Sequence, residues 1–265
     1  MKDDSYFGIK GYTPTSLVDW PDKICSVVFF GGCTFRCPYC HNSSLVLHPD
    51  TLEDLSLEAI LSHIESRSKW IDGVTVTGGE PTARRALPDF LSLLRQRSIP
   101  VKLDTNGSNP SLLEQLIEND LVAAVYMDVK APLDRRLYSL VAGTAVIPEI
   151  LQRSIDILKR SSIEIVFRTT VAPGLVAERE LYEIRRSLGE VDVFLVQRFR
   201  NGATLDPKLS QLPEFPEERF QRMRACYEVR RRSTQYPWPF SIQGAEAIGE
   251  KTPFLAAALQ HAYEH

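Results

Sequence analysis

The segment Gly32-Cys33-Thr34-Phe35-Arg36-Cys37-Pro38-Tyr39-Cys40-His41-Asn42 places three thiols within eight residues. Their spacing, three intervening residues and then two, lets a single loop curl its sulfurs around one inorganic centre. Thiolates are the ligands that iron–sulfur clusters use. Three of them on a four-iron cluster leave one iron uncapped, and an open iron can chelate a substrate. The alternative is structural zinc with His41 as the fourth ligand. Zinc usually takes its ligands as pairs from separated segments, and the adjacency of Cys40 and His41 makes joint tetrahedral ligation awkward. The chain has five cysteines, an odd number that does not suit a disulfide framework. Clustered thiols of this kind belong to a reducing compartment. Cys25 and Cys226 sit in apolar stretches and are expected to be core residues.

Other polar and glycine-bearing segments recur at regular intervals: residues 78–82, 104–107, 128–132, 169–174 and 197–202. Each follows a short, nearly continuous apolar run, the pattern of parallel strands buried on both faces. Strands are expected at residues 24–30, 74–77, 101–103, 124–127, 163–168 and 191–196. Amphipathic stripes alternate with them at helical spacing: Leu57, Ile60, Leu61 and Ile64; Leu87, Phe90, Leu91 and Leu94; Ile147, Ile150, Leu151, Ile155 and Leu158; Leu181, Ile184 and Leu188. Six β–α units in succession predict an α/β fold, a partial (β/α)6 barrel, with chemistry gathered at the carboxyl ends of the strands.

With 265 residues, 43% of them hydrophobic and 25% charged, the chain can bury one large core. A net charge of −3 gives no reason to expect nucleic acid or membrane as a partner. No apolar run is long enough to span a bilayer, and the polar start does not read as a signal peptide, so the cytoplasm is the expected compartment. Residues 1–205 form the expected core domain. Beyond them, prolines interrupt the chain around helical patterns at 217–231 and 253–263, which suggests an extension of residues 206–265 packed on the core. The arginines at 219, 222, 224, 230, 231 and 232 read as a solvated helix face.

The cysteine loop, with aromatic Tyr39 before its last thiol, resembles the signature of the radical S-adenosylmethionine (SAM) superfamily. That resemblance implies a [4Fe–4S] cluster on Cys33, Cys37 and Cys40, and SAM chelated to the open iron by its amino and carboxylate groups. It also implies reductive cleavage of SAM to a 5′-deoxyadenosyl radical that abstracts hydrogen from a substrate. Gly78-Gly79-Glu80-Pro81 resembles the superfamily's GGEP motif, whose glycines bring backbone close to the SAM amino group. Asp104-Thr105-Asn106-Gly107 and Asp128-Val129-Lys130 resemble SAM-contacting motifs of glycyl-radical activating enzymes. Arg168 begins a stretch similar to that family's Arg-x-x-Val-x-Pro-Gly. On this resemblance Tyr39, Gly78, Gly79, Glu80, Asp104, Asn106, Lys130 and Arg168 contact SAM or support it, while His41 and Asn42 surround the cluster. Read alone, Asp104 is an Asx-turn residue, the Asp128–Lys130 pair a surface ion pair, and Arg168 a structural residue at the barrel rim.

Over residues 8–205 the chain further resembles the activating proteins of anaerobic ribonucleoside-triphosphate reductase, through Ser16-Leu17-Val18-Asp19-Trp20-Pro21, residues 127–133 and 199–202, and Leu205-Asp206-Pro207. The resemblance implies abstraction of hydrogen from a glycine of a partner enzyme, with Asp19 near the incoming loop and reduced flavodoxin or ferredoxin as electron donor. Two departures stand out. Asp22 replaces a usual glycine, so a different local turn is expected. Gln197 stands where pyruvate formate-lyase activating enzymes have a SAM-contacting histidine, which makes it a substitute SAM contact. Two other readings remain: a radical SAM enzyme acting on a small molecule such as a nucleoside or deazapurine precursor, and a zinc-stabilised binding module without turnover.

Overall fold

In the computed structural model, residues 4–230 are described. Eight strands form one sheet whose spatial order follows the chain: β1 (Ile9–Ser16), β2 (Cys25–Phe30), β3 (Gly73–Gly78), β4 (Val101–Thr105), β5 (Ala124–Asp128), β6 (Glu164–Val171), β7 (Val193–Arg198) and β8 (Val229–Arg230). The pairs from β2 to β7 are parallel, and β1 and β8 are antiparallel edges. The helices are α1 (Asp4–Phe7), α2 (Ser43–Leu47), α3 (Leu57–Arg67), α4 (Leu87–Gln96), α5 (Pro110–Glu118), α6 (Arg135–Ala142), α7 (Pro148–Arg160), α8 (Glu178–Leu188) and α9 (Glu217–Tyr227). This is the expected α/β architecture: a parallel run of strands wound with helices, its two edges held by antiparallel strands, β8 a short one.

Because successive strand residues face opposite ways, the sheet sorts its side chains into two layers. Val74, Val76, Leu103, Val125, Met127 and Phe167 pack with the stripes of the helices in one large core. Cys25, Val27, Ala124, Tyr126 and Val166 form a smaller cluster on the opposite, concave face, joined by Trp20. Trp20 is fully buried and lies against Gly73, where a Cβ would meet both the indole ring and the Pro100 carbonyl. Trp20 therefore anchors the Ser16–Pro21 segment on this face near the amino ends of the strands, while Leu17 and Val18 stay exposed.

Strands β1 and β8 fall outside the six expected from apolar runs. β1 contains Gly11 and Pro14, which would disqualify a central strand but are tolerated at an edge. Asp22 adopts a left-handed backbone, φ +62°, a conformation that glycine adopts freely and aspartate tolerates. Cys25 is buried as expected, but Cys226 is exposed. On α9 the inward stripe runs through Phe220 and Met223, and Cys226 lies off it. Along α9 and β8, Arg219 grips Glu178 with two hydrogen bonds, Arg222 pairs with Glu218, and Arg224 and Arg230 pair with Glu228. The expected helix at 253–263 and Arg231 and Arg232 lie outside the described residues.

Candidate active site

The strand ends of β2 to β6 deliver their loops to one cleft of about 670 Å³, counting the space at its mouth. Its walls carry Cys33, Cys37, Tyr39, Cys40, Asn42, Gly78, Gly79, Glu80, Asp104, Asn106, Asp128, Lys130 and Arg168. Among the site residues expected from sequence, Gln197 on β7 and His41 stand apart: both are exposed and neither lines the cleft.

The cysteine loop is fixed on three sides. Gly32 N–H donates to the Leu45 carbonyl (2.7 Å) and Arg36 N–H to the Ala142 carbonyl (2.7 Å). The Arg36 guanidinium turns back onto the carbonyls of Cys33 and Phe35. On the far side Leu205 N–H donates to the Cys40 carbonyl and Asp206 N–H to that of Pro38 (both 2.9 Å). His41 stacks on Phe199, and Asn42 Nδ2 donates to the Gly78 carbonyl (2.9 Å).

Two N–H groups point at the Cys33 sulfur: Phe35 N at 3.3 Å and Asn106 Nδ2 at 3.9 Å. Burial pushes the Cys33 thiol up to about 12 and that of Cys37 up to about 11. Without a metal these thiols hold their protons, so ligation must displace them. Among the described residues no three His, Cys, Asp or Glu side chains are grouped to hold one metal ion. The Tyr39 hydroxyl is buried on the cleft wall with no hydrogen-bond partner among the described residues. Buried hydroxyls are seldom left so, and a bound ligand or water is the partner it lacks.

Glu80 is almost wholly buried and ties two loops together. Its carboxylate accepts from Thr82 N–H (3.1 Å), Thr82 Oγ1 (2.6 Å), Thr105 Oγ1 (2.8 Å) and Asn106 N–H (2.7 Å). Burial pushes its carboxyl up from the usual range, and these donors pull against that. The glycines before it have a reason beyond any ligand. A Cβ on Gly78 would overlap the Phe30 backbone, and one on Gly79 would overlap the Gly32 carbonyl. Only glycines let this loop lie flat against the start of the cysteine loop.

Across β4, β5 and β6 runs a chain of alternating charges. Lys102 Nζ lies 2.6 Å from Asp104 Oδ1, which also meets Arg168 at 3.3 Å. Arg168 Nε reaches Asp128 Oδ1 at 2.8 Å, and Lys130 Nζ reaches Asp128 Oδ2 at 3.0 Å. This is neither a surface pair nor an isolated turn: Lys102 is 1% exposed and Arg168 13%. Burial alone pushes the Asp128 carboxyl up, but Arg168 and Lys130 outweigh it and hold it down at about 2. Lys130 is held well above its usual value, Asp128 outweighing the burial. Burial pulls Lys102 down, against the Asp104 carboxylate that keeps it a cation. Sequence reading missed Lys102. Its signal was a lysine two residues before an aspartate on one strand, which puts both charges on one face.

The Radical SAM superfamily pattern matches residues 27–185, more than half of the chain. The chain belongs to the radical SAM superfamily. Members use a [4Fe–4S] cluster together with S-adenosylmethionine. A protein of Methanocaldococcus jannaschii, assigned by name to the glycyl-radical enzyme activating enzymes, is 30% identical over 214 residues, covering 79% of this chain and 87% of that one. A pyruvate formate-lyase-activating enzyme of Clostridium pasteurianum is 30% identical over 62% of this chain and 68% of its own. A solved structure of TYW1 with a lysine–pyruvate adduct superposes with a TM-score of 0.52 at 15% identity, covering 75% of this chain and 71% of that one, a likeness of fold. In this radical SAM enzyme no helix among the described residues is long and apolar enough to cross a membrane.

Removing the Glu80 carboxylate strands two buried backbone N–H groups, each worth about 1–3 kcal/mol. Urea unfolding is expected to show Glu80→Ala destabilised by about 2–6 kcal/mol, with Glu80→Gln retaining part of that. The depressed Asp128 carboxyl contributes on the order of 2 kcal/mol. That contribution is full above the ordinary carboxylate value near 4 and is lost as pH falls towards 2. Stability measured from pH 5 to pH 2 is expected to fall less steeply in Asp128→Asn than in the parent.

Proposed function

We propose that this radical SAM enzyme is an activase that abstracts hydrogen from a backbone glycine of a partner enzyme, leaving a glycyl radical there. The observation that carries this is the likeness to the M. jannaschii protein, which runs through 87% of that chain. A GTP 3′,8-cyclase of Pyrococcus abyssi, which would favour a small-molecule substrate, is 25% identical over 52% of its length. The partner we assign is an anaerobic ribonucleoside-triphosphate reductase, on the strength of the Ser16–Pro21 segment and residues 127–133 and 199–207.

Cys33, Cys37 and Cys40 would hold the cluster, with the Phe35 and Asn106 N–H groups stabilising the Cys33 thiolate and tuning its potential. The bound cofactor pair supplies one-electron cleavage of the SAM sulfonium and so the power to abstract hydrogen. This chain supplies position. Lys130 and Arg168 place two cations on the cleft wall beside Asp104 and Asp128, and these cations suit an anionic group such as the SAM carboxylate. Tyr39 offers an unused hydroxyl. Asp19 accepts from Ser16 Oγ (2.5 Å), and its place near the incoming glycine loop rests on the resemblance of the Ser16–Pro21 segment. Reduced flavodoxin or ferredoxin would supply the electron.

The test is anaerobic reconstitution with iron and sulfide, then incubation with SAM, dithionite and the purified reductase. Expected are 5′-deoxyadenosine and an organic radical doublet on the reductase in electron paramagnetic resonance, both lost in Cys37→Ala. Cleavage of SAM that yields a modified small molecule, with no radical on the reductase or on pyruvate formate-lyase, would overturn the activase reading.

A further inference from the structure

The geometry points to the outer face of α6 and the loop that follows it as the docking surface for an acidic one-electron carrier protein. This rests on the reading above only in requiring that an electron arrive from outside. The inner side of α6 lies directly on the cysteine loop. Arg36, the residue before Cys37, donates its N–H to the Ala142 carbonyl (2.7 Å), and Tyr138 meets Phe35 edge-on with ring centroids 6.2 Å apart. Gly143 turns left-handed (φ +63°) so closely that a Cβ would overlap the Arg36 carbonyl, yet it is exposed on its other side. From solvent to Cys37 is therefore one packed contact and one covalent step.

The outer side is apolar and unpartnered among the described residues. Leu140, Ile147 and Ile150 are 59%, 47% and 37% exposed. The Val146 N–H donates to Ser139 Oγ (3.0 Å), which draws the loop onto α6 and sets Ile147 beside Leu140's helix. Beside this apolar face stand Arg135 and Arg136, adjacent in sequence, exposed and making no ion pair among the described residues. They occupy the first two positions of α6, where the helix dipole disfavours positive charge. Of the neighbouring carboxylates, Asp134 is engaged in capping the Leu137 N–H, and Glu149 is exposed at the start of α7. Basic residues kept where they weaken their own helix, around an apolar centre, match an acidic partner that must be steered in and released. The opposite flank of the cysteine loop lacks this: Arg200 there is paired with Glu214. One electron passes from the carrier, which is oxidised by one, to the centre held by the cysteine loop, which is reduced by one, and no bond is made or broken.

The experiment follows bleaching of the reconstituted cluster anaerobically after mixing with reduced flavodoxin, reduced ferredoxin or dithionite. SAM and the partner enzyme are left out, so the readout is independent of the activase reading. Arg135→Glu/Arg136→Glu should fold, since acidic residues suit a helix start, and Leu140→Gln tests the apolar centre without changing charge. Both are expected to slow reduction by a carrier protein about tenfold or more at low salt. Salt should narrow the gap for the charge variant, and dithionite rates should stay within about twofold of the parent. Three results overturn the surface: carrier rates unchanged in both variants, dithionite slowed as much as the carrier, or a parent protein that dithionite reduces and neither carrier does.

Discussion

Lys102, Asp104, Arg168, Asp128 and Lys130 form a line of five alternating charges over the ends of three neighbouring strands. None of these groups could be buried alone, because an unpaired charge in a protein interior costs several kcal/mol. Each is tolerated because the next one compensates it. Arg168 is the keystone, its planar fork shared between two aspartates from different strands. The arrangement fixes β4, β5 and β6 relative to one another at the end where their loops must meet, and it sets Lys130 and Arg168 on the cleft wall.

What that line does across three strands, Glu80 does for the loops above them. One carboxylate joins the glycine loop after β3 to the loop after β4, and Asn106, held by it, reaches Thr34 at 2.9 Å and Cys33. The cysteine loop is thereby tied to the same frame. Gly78 and Gly79 complete the contact by having no side chain where the backbones touch. Three loops distant in sequence thus become one rigid wall, which a site controlling a reactive radical needs in order to hold its substrate and exclude water.

Much of this was legible in the residues. Apolar runs of buried parallel strands, with polar loops after each, located the six central strands and the rim that carries the cleft, because buried strands leave a continuous hydrophobic signature. The thiol spacing marked the cysteine loop. Other features were hidden for physical reasons. β1 is an edge strand with glycine and proline, and edges are held by neighbours rather than by propensity. Lys102 sits inside a run otherwise apolar, and only its match with Asp104, two residues on, explains it. Glu80 reads as a ligand-contacting residue in its motif, and its four hydrogen bonds add a role as a tie between loops, which the motif alone does not reveal. Cys226 was misplaced because one residue's shift on a helix moves a side chain from core to solvent. Gln197 lies on the expected strand end, yet near the open edge, away from the cleft.

The central claim, that hydrogen is taken from a protein glycine, is tested most directly by isotope transfer. The anaerobic reductase would be prepared with its glycines deuterated at the α-carbon and incubated with the reconstituted enzyme, SAM and dithionite. The account predicts one deuterium in the 5′-deoxyadenosine and a glycyl radical spectrum altered by the label. Unlabelled 5′-deoxyadenosine formed at the same rate with or without the reductase would contradict it.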